Sequence, residues 1–101
     1  MEALILSQLI TLLRQLYGDT QGFLDHPEDS QGWYDRGYAN GMVRALRALG
    51  QGATLPADLE LDPDGEAWGR IAEQARMPWG RAHAHGLEMG LRETFEILEG
   101  T

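Results

Sequence analysis

Four glycines lie inside segments with the apolar periodicity of helices, and they constrain the fold more than any other feature of the chain. Gly37 and Gly41 form one Gly-x-x-x-Gly pair, Gly86 and Gly90 form another, and this spacing puts both glycines of a pair on one helix face. Each such glycine costs roughly 0.5–1 kcal/mol relative to alanine. Close approach of two backbones offsets that cost through additional van der Waals contact. We therefore predict that the two glycine-bearing helices cross closely at these pairs; the alternative is that the glycines leave room for a ligand.

The apolar periodicity of the first half of the chain predicts two helices. The first covers residues 3–17 and stops at Gly18, and its apolar face is wide enough to require more than one neighbour. The second begins at about Ser30, continues to Leu49 and ends at Gly50.

The second half of the chain predicts two more helices. The third begins near Asp62, with Pro63 in its first turn, and ends before Met77. The fourth covers residues 79–98. Together the four helices predict an all-α fold in which helices 2 and 4 carry the glycines.

A short internal similarity relates the two glycine-bearing helices. The segment 37–49, GYANGMVRALRAL, aligns with 86–98, GLEMGLRETFEIL, at an offset of 49 residues. The alignment suggests a repeat of units 1–50 and 51–101, each a helical hairpin. Two such hairpins form a four-helix bundle, here a single domain over residues 1–101.

The charge and cysteine content exclude several classes of function. The 101 residues include 16 acidic and 8 basic residues, all of the latter arginine, for a net charge of −8, and there is no cysteine. An acidic surface argues against binding of duplex nucleic acid, because contacts to phosphate supply most of that affinity. Without cysteine, disulfide frameworks, thiolate zinc sites and cysteine nucleophiles are excluded.

The N-terminal segment resembles a secretion signal only superficially. Glu2 stands where such a signal is basic, and Gln8, Thr11 and Arg14 interrupt the apolar run. No run of 18 apolar residues is present that would span a membrane. We therefore predict a cytoplasmic protein, and the use of arginine without lysine is typical of bacteria with GC-rich genomes.

No pattern of residues predicts a metal, a cofactor or catalysis. His83 and His85 are two residues apart, which puts them on different sides of a helix, so they cannot share an ion. The acidic run that starts at Glu60 resembles a calcium loop, but Ile71 stands at the position that needs a glutamate. No nucleophile arrangement or phosphate-binding glycine loop is present either.

Two sets of residues are candidates for contact with a ligand or a partner. His83 falls on the small apolar face of helix 4, where we expect a core or interface histidine; the alternative is a pocket that it forms with Tyr34 and Tyr38. The arginines of helix 2 line one side of that helix, either solvated or in contact with an anion or an acidic partner. They are Arg36, Arg44 and Arg47, with Asn40 among them.

These observations favour a small, non-enzymatic interaction or adaptor protein that forms a homodimer. The wide apolar face of helix 1 and the outlying Leu4 exceed what one short bundle covers. One alternative is an acidic inhibitor of a basic, nucleic-acid-binding partner, since five of the nine residues from Asp58 to Glu66 are acidic. Another is a ligand- or metal-binding helical module with a pocket near His83.

Overall fold

The computed structural model describes residues 3–100, and within that range the chain is all-helical with no strand. The helices are α1 (Ala3–Asp19), α2 (Ser30–Ala48), α3 (Ala67–Glu73) and α4 (Pro78–Glu99). Short 3-10 turns occur at Phe23–Asp25, Gly52–Thr54 and Asp62–Asp64. The predicted four-helix bundle is confirmed. The predicted domain limits at residues 1 and 101 lie outside the described residues, as does Glu2. No helix in that range is long and apolar enough to cross a membrane.

Helix α2 lies at the centre of the bundle, although its sequence is more polar than that of α1. Its most extensive contacts are with α4, and α1 also packs against it. Its buried residues are Trp33, Gly37, Ala39, Asn40, Gly41, Met42, Val43, Ala45 and Leu46, which are distributed around most of the helix. The expectation that Asn40 lies on a solvated side is therefore wrong, because the segment after α2 folds back over that side.

Helices α2 and α4 cross at the two glycine pairs, as predicted. A Cβ atom added to Gly37 would lie 2.8 Å from the carbonyl carbon of His83, and closer still to its oxygen. One added to Gly90 would lie 2.8 Å from the carbonyl carbon of Tyr38. Real Cβ atoms do not approach backbone so closely, so only glycine permits this crossing.

The contacts at the crossing follow the offset of the sequence similarity. Gly37 faces His83, while Gly86 faces Tyr34. At the offset of 49 residues Gly37 corresponds to Gly86 and Tyr34 to His83, so each contact is the counterpart of the other. Because the residue numbers of facing positions rise together along both helices, α2 and α4 run in the same direction. The correspondence stops at the other helices, because α1 has 17 residues and α3 only 7. Duplication of the whole hairpin stays a prediction.

Two predicted helix boundaries are wrong. Helix α1 continues past Gly18 to Asp19, and the chain turns at Gly22, which has a positive φ of 76°. The third helix begins at Ala67 instead of near Asp62, because Asp62 starts a separate 3-10 turn and its carboxylate points into the bundle. Its negative charge is used for an ion pair and not for capping.

Candidate functional site

Four buried polar side chains meet where α1, α2, α4 and the 62–64 turn come together; we call them the Asn40 cluster (Tyr17, Asn40, Asp62 and His83). The Oδ1 atom of Asn40 accepts a hydrogen bond from the Tyr17 hydroxyl. The Nδ2 atom of Asn40 donates to Asp62 at 2.8 Å and lies 3.0 Å from Nε2 of His83. The Tyr17 hydroxyl also accepts from the backbone N–H of Asp62 at 3.0 Å. The cluster therefore joins four segments that are far apart in the sequence.

Arg36 neutralises the buried carboxylate of Asp62. Its Nε and Nη2 atoms donate to the two carboxylate oxygens at 2.8 and 2.9 Å, a bidentate geometry. Its Nη1 atom donates to the Tyr17 carbonyl at 3.1 Å and to the Thr20 hydroxyl at 3.0 Å. The guanidinium carbon also lies 4.0 Å from the centre of the Tyr17 ring and 4.8 Å from that of Phe23. Arg36 is thus fully engaged inside the protein and is not a surface cation.

The hydrogen bonds determine the protonation state of His83. Because Asn40 Nδ2 is a donor, Nε2 of His83 must be an unprotonated acceptor, and the ring is neutral. Burial lowers the pKa of His83 to about 4, with the charge of Arg36 acting in the same direction and that of Asp62 opposing it. Burial likewise raises the pKa of Tyr17, and the charge of Asp62 adds to this effect. At neutral pH the charges within the cluster and its Arg36 neighbour therefore cancel.

The polar groups of the Asn40 cluster bind mainly one another and Arg36. Among the described residues, every buried side-chain nitrogen and oxygen has a hydrogen-bond partner. Both N–H groups of Asn40 are used within the cluster, and Asp62 is shielded from solvent, with 2% of its surface exposed. The arrangement is that of a structural clamp, because its hydrogen bonds connect segments that are far apart in the sequence.

A groove around Trp68 runs beside the cluster; we call it the Trp68 groove. A cavity of about 380 Å³ is lined by Asn40, Val43, Arg44, Arg47, Pro63, Trp68 and Leu87. A second cavity, of about 210 Å³, is lined by Trp68, Ile71, Ala72, Ala75, Gly80, His83, Ala84 and Leu87. Trp68 and Leu87 line both cavities, and Trp68 is 38% exposed with its ring edge-on to His83 at 6.1 Å. The groove thus has mainly apolar walls, and two residues of the Asn40 cluster line it.

The three candidate arginines have different environments. Arg36 belongs to the buried ion pair with Asp62, whereas Arg44 and Arg47 both line the larger cavity. Arg47 is paired with Asp64 on the 62–64 turn. Arg44 is exposed and makes no ion pair or side-chain hydrogen bond with residues 3–100. Arg44 is therefore the arginine of this set that can meet an external anion.

Tyr34 and Tyr38 are not among the residues that line the two cavities of the Trp68 groove. The Tyr34 ring lies edge-on to that of His85 at 5.5 Å. The Tyr38 hydroxyl donates to Glu93 at a long 3.4 Å. The cavity that His83 lines is formed with Trp68 and its neighbours instead. The two tyrosines act in the helix crossing, where their backbone atoms face Gly86 and Gly90.

The acidic segment after α2 is largely paired within the chain. Asp58 forms a two-point ion pair with Arg14, at 2.8 and 3.0 Å. Asp62 is bound by Arg36, and Asp64 pairs with Arg47. Most of its charge is therefore already neutralised, which weakens the interpretation of this segment as a surface that binds a basic partner.

Within residues 3–100 no three metal-binding side chains come together. His83 is buried and His85 is exposed, in agreement with their predicted placement on different sides of the helix. Comparison of the chain with protein-family models, curated proteins and solved structures gives no match.

The sequence interpretation missed the roles of Asn40, Asp62 and Trp68. The helical pattern groups Asn40 with the arginines of α2 and places Asp62 near the start of the third helix. A usable signal was the position of Asn40 in the middle of a helix, where asparagine is unfavourable unless its side chain is employed. The sequence around Trp68 carries no comparable signal of a functional role. The exposure of Trp68 depends on the length of α3, which has only 7 residues.

Proposed function

We propose that the protein is a small interaction protein without enzymatic activity, and that it forms a homodimer through α1. The observation that carries this proposal is the incomplete coverage of the apolar face of α1. That face was predicted to need more than one neighbour, yet its main contact is α2. Of the 17 residues of α1, only Leu9, Leu13 and Tyr17 are buried.

Several apolar side chains of α1, and one near the end of α4, remain exposed. Leu4 is 62% exposed and Leu12 is 39% exposed. Ile97 is 42% exposed, and the neighbouring Leu98 packs in the same core cluster as Leu9. Further aliphatic residues of α1 are only partly buried: Ile5, Leu6, Ile10 and Leu16. Burying these side chains against a partner would remove apolar area from water.

The distribution of charge favours a second copy of this chain as the partner. From Ala3 to Gly18 the only charged side chain is Arg14, which is already paired with Asp58. This face is therefore nearly neutral in a chain with a net charge of −8, so two copies can meet there with little repulsion. A twofold contact uses the same patch on both chains, which the exposed side of one helix can supply.

The absence of catalysis is part of the same proposal. The hydrogen bonds of the Asn40 cluster support it, because Tyr17 and His83, whose pKa values are both shifted by burial, are each engaged by Asn40. The cytoplasmic location predicted from the sequence belongs to this proposal as well.

Sedimentation equilibrium of the intact protein tests the homodimer. We expect a mass of twice 11.2 kDa at micromolar concentration, with tighter association at higher salt because the net negative charge is screened. Leu12→Glu should give a folded monomer, since Leu12 is partly exposed in the single chain and its replacement costs the core little. Met77→Glu is the matched control, because Met77 is 46% exposed and lies just before α4, outside α1.

A monomeric wild type under these conditions would contradict the proposal. Equal weakening of the dimer by the two substitutions would also contradict the proposal. That result would mean that the association depends on exposed apolar side chains in general and not on α1. Circular dichroism of each variant confirms that the helices are retained.

A further inference from the structure

We propose that the Trp68 groove binds a small ligand with an apolar body and an anionic head group, of the class of aryl or alkyl carboxylates. This inference concerns a different face of the protein from α1 and does not depend on dimerisation. It rests on three observations: the size and lining of the larger cavity, the engagement of its polar floor, and an unpaired arginine at its edge.

The larger cavity has the size and walls expected of a small-molecule site. Its volume of about 380 Å³ lies within the range in which ligand pockets are usually found. Pro63, Trp68 and Leu87 supply accessible apolar surface. An aromatic or alkyl body fits these walls, because the indole of Trp68 offers a broad face that is still accessible to solvent.

The floor of the cavity cannot provide the polar contact. Asn40 lines it, but both of its N–H groups are engaged, by Asp62 and by His83. A ligand that required a hydrogen-bond donor there would have to break the Asn40 cluster. The arginines that line the cavity can supply the polar contact instead.

Arg44 and Arg47 favour an anion at that edge. Arg47 is already neutralised by Asp64, whereas Arg44 has no partner among residues 3–100. Hydrogen bonds to a charged group contribute more than neutral ones. A carboxylate above the apolar cavity would give Arg44 a partner while the remainder of the ligand contacts Trp68.

Binding can be measured on the full chain through its three tryptophan indole N–H signals in a ¹H–¹⁵N correlation spectrum. Two of them serve as internal references, because Trp33 donates to the His26 carbonyl and Trp79 donates to Gln74. The signal of Trp68 is assigned with Trp68→Phe. The probes are 4-phenylbutyrate and octanoate, each compared with its neutral alcohol, 4-phenylbutanol or octanol.

We expect at least one of the two acids to shift the Trp68 signal in a saturable way, and to bind more tightly than its alcohol. Arg44→Gln should weaken binding of that acid about tenfold and leave binding of the alcohol unchanged. Arg81→Gln is the matched control, since Arg81 is an exposed arginine of α4 outside the cavity lining, and it should change neither.

Three results would overturn the inference. The first is the absence of a saturable Trp68 shift with both acids at millimolar concentrations. The second is equal affinity of each acid and its alcohol, which would remove the role of the anion. The third is an equal loss of affinity for the acid with Arg44→Gln and Arg81→Gln, which would show that only the net charge of the protein matters.

Discussion

Replacement of Gly41 by alanine adds one methyl group at the crossing of α2 and α4. The new Cβ would lie 2.7 Å from the backbone nitrogen of Leu91 and 3.0 Å from the carbonyl carbon of Leu87, with the Leu87 oxygen nearer still. All three atoms belong to helix backbone, so no side chain can rotate out of the way. The two helices must move apart, by about 1 Å to restore ordinary van der Waals distances.

Two opposing contributions set the size of the effect. Alanine is favoured over glycine in a helix by about 1 kcal/mol. Overpacking of a well-packed interior costs typically about 1–3 kcal/mol and sometimes more, and rigid backbone on both sides places Gly41→Ala at or above the top of that range. We expect a net loss of about 2 kcal/mol or more, which lowers the melting temperature of a domain of this size by about 10 °C.

Gly69→Ala is the matched control, because the chemical change is identical and the surroundings are empty. Gly69 lies within α3, and a Cβ added there would have no heavy atom within 4 Å. It should stabilise the protein by about 0.5–1 kcal/mol through helix propensity and reduced freedom of the unfolded chain. Urea unfolding followed by far-UV circular dichroism gives both free energies and shows whether the m-value is unchanged.

The test is whether Gly41→Ala lowers the free energy of unfolding while Gly69→Ala raises it. If Gly41→Ala were as stable as the wild type, or gained stability as Gly69→Ala should, then the glycines would not be required by the crossing. The interpretation of the fold around α2 and α4 would then be wrong.

Three further predictions concern the Asn40 cluster. The pKa of His83 is about 6.5 in an unfolded chain and is lowered to about 4 in the folded protein, so the unfolded state binds the proton more readily. The stability from a neutral His83 is therefore complete above pH 6.5 and falls by about 3 kcal/mol as the pH drops to 4, which urea unfolding at a series of pH values measures. Asn40→Ala should cost about 3 kcal/mol in the same assay, because the buried Tyr17 hydroxyl and His83 Nε2 lose the partner that Asn40 provides and Asp62 loses one of its hydrogen bonds. Asp62→Asn should cost about 3–5 kcal/mol by leaving Arg36 unpaired in the interior, as chemical denaturation would show.

Matched control variants separate the contribution of the Asn40 cluster to stability from the general effect of changing a histidine or an acidic residue. His83→Gln should flatten the dependence of stability on pH between 5 and 6.5, while the exposed His85→Gln should leave it steep. An unchanged slope in His83→Gln would refute the assignment of that proton. Asp58→Asn removes an ion pair at the surface and should have little effect, because such pairs contribute little. Equal losses from Asp58→Asn and Asp62→Asn would show that burial of the Arg36 pair is unimportant.

Local patterns in the sequence predicted most of the fold. The 3.6-residue periodicity located α1, α2 and α4 to within about two residues, which is the usual uncertainty of helix ends. The spacing of Gly37 and Gly41, and of Gly86 and Gly90, predicted the crossing because four residues return to the same helix face. These features involve neighbouring residues only, so they can be recognised without knowledge of the tertiary structure.

The polar interior could not be predicted in the same way. Tyr17, Asn40, Asp62 and His83 are each separated from the next by more than 20 residues, and nothing in the sequence pairs them. Asp62 precedes a proline, which is the pattern of a helix start. In the structure its carboxylate forms an ion pair with Arg36 instead. Only the packing of the segment after α2 against its polar side brought these groups together.

The sequence by itself determined that this chain is an acidic, all-helical bundle with a glycine crossing, since periodicity and the cost of helical glycine are local properties. The tertiary structure alone decided which polar side chains became interior and which apolar ones stayed exposed. The physical reason is that burial depends on coverage by distant segments. The 17 residues of α1 find one main neighbour, and the 7 residues of α3 are too few to cover Trp68.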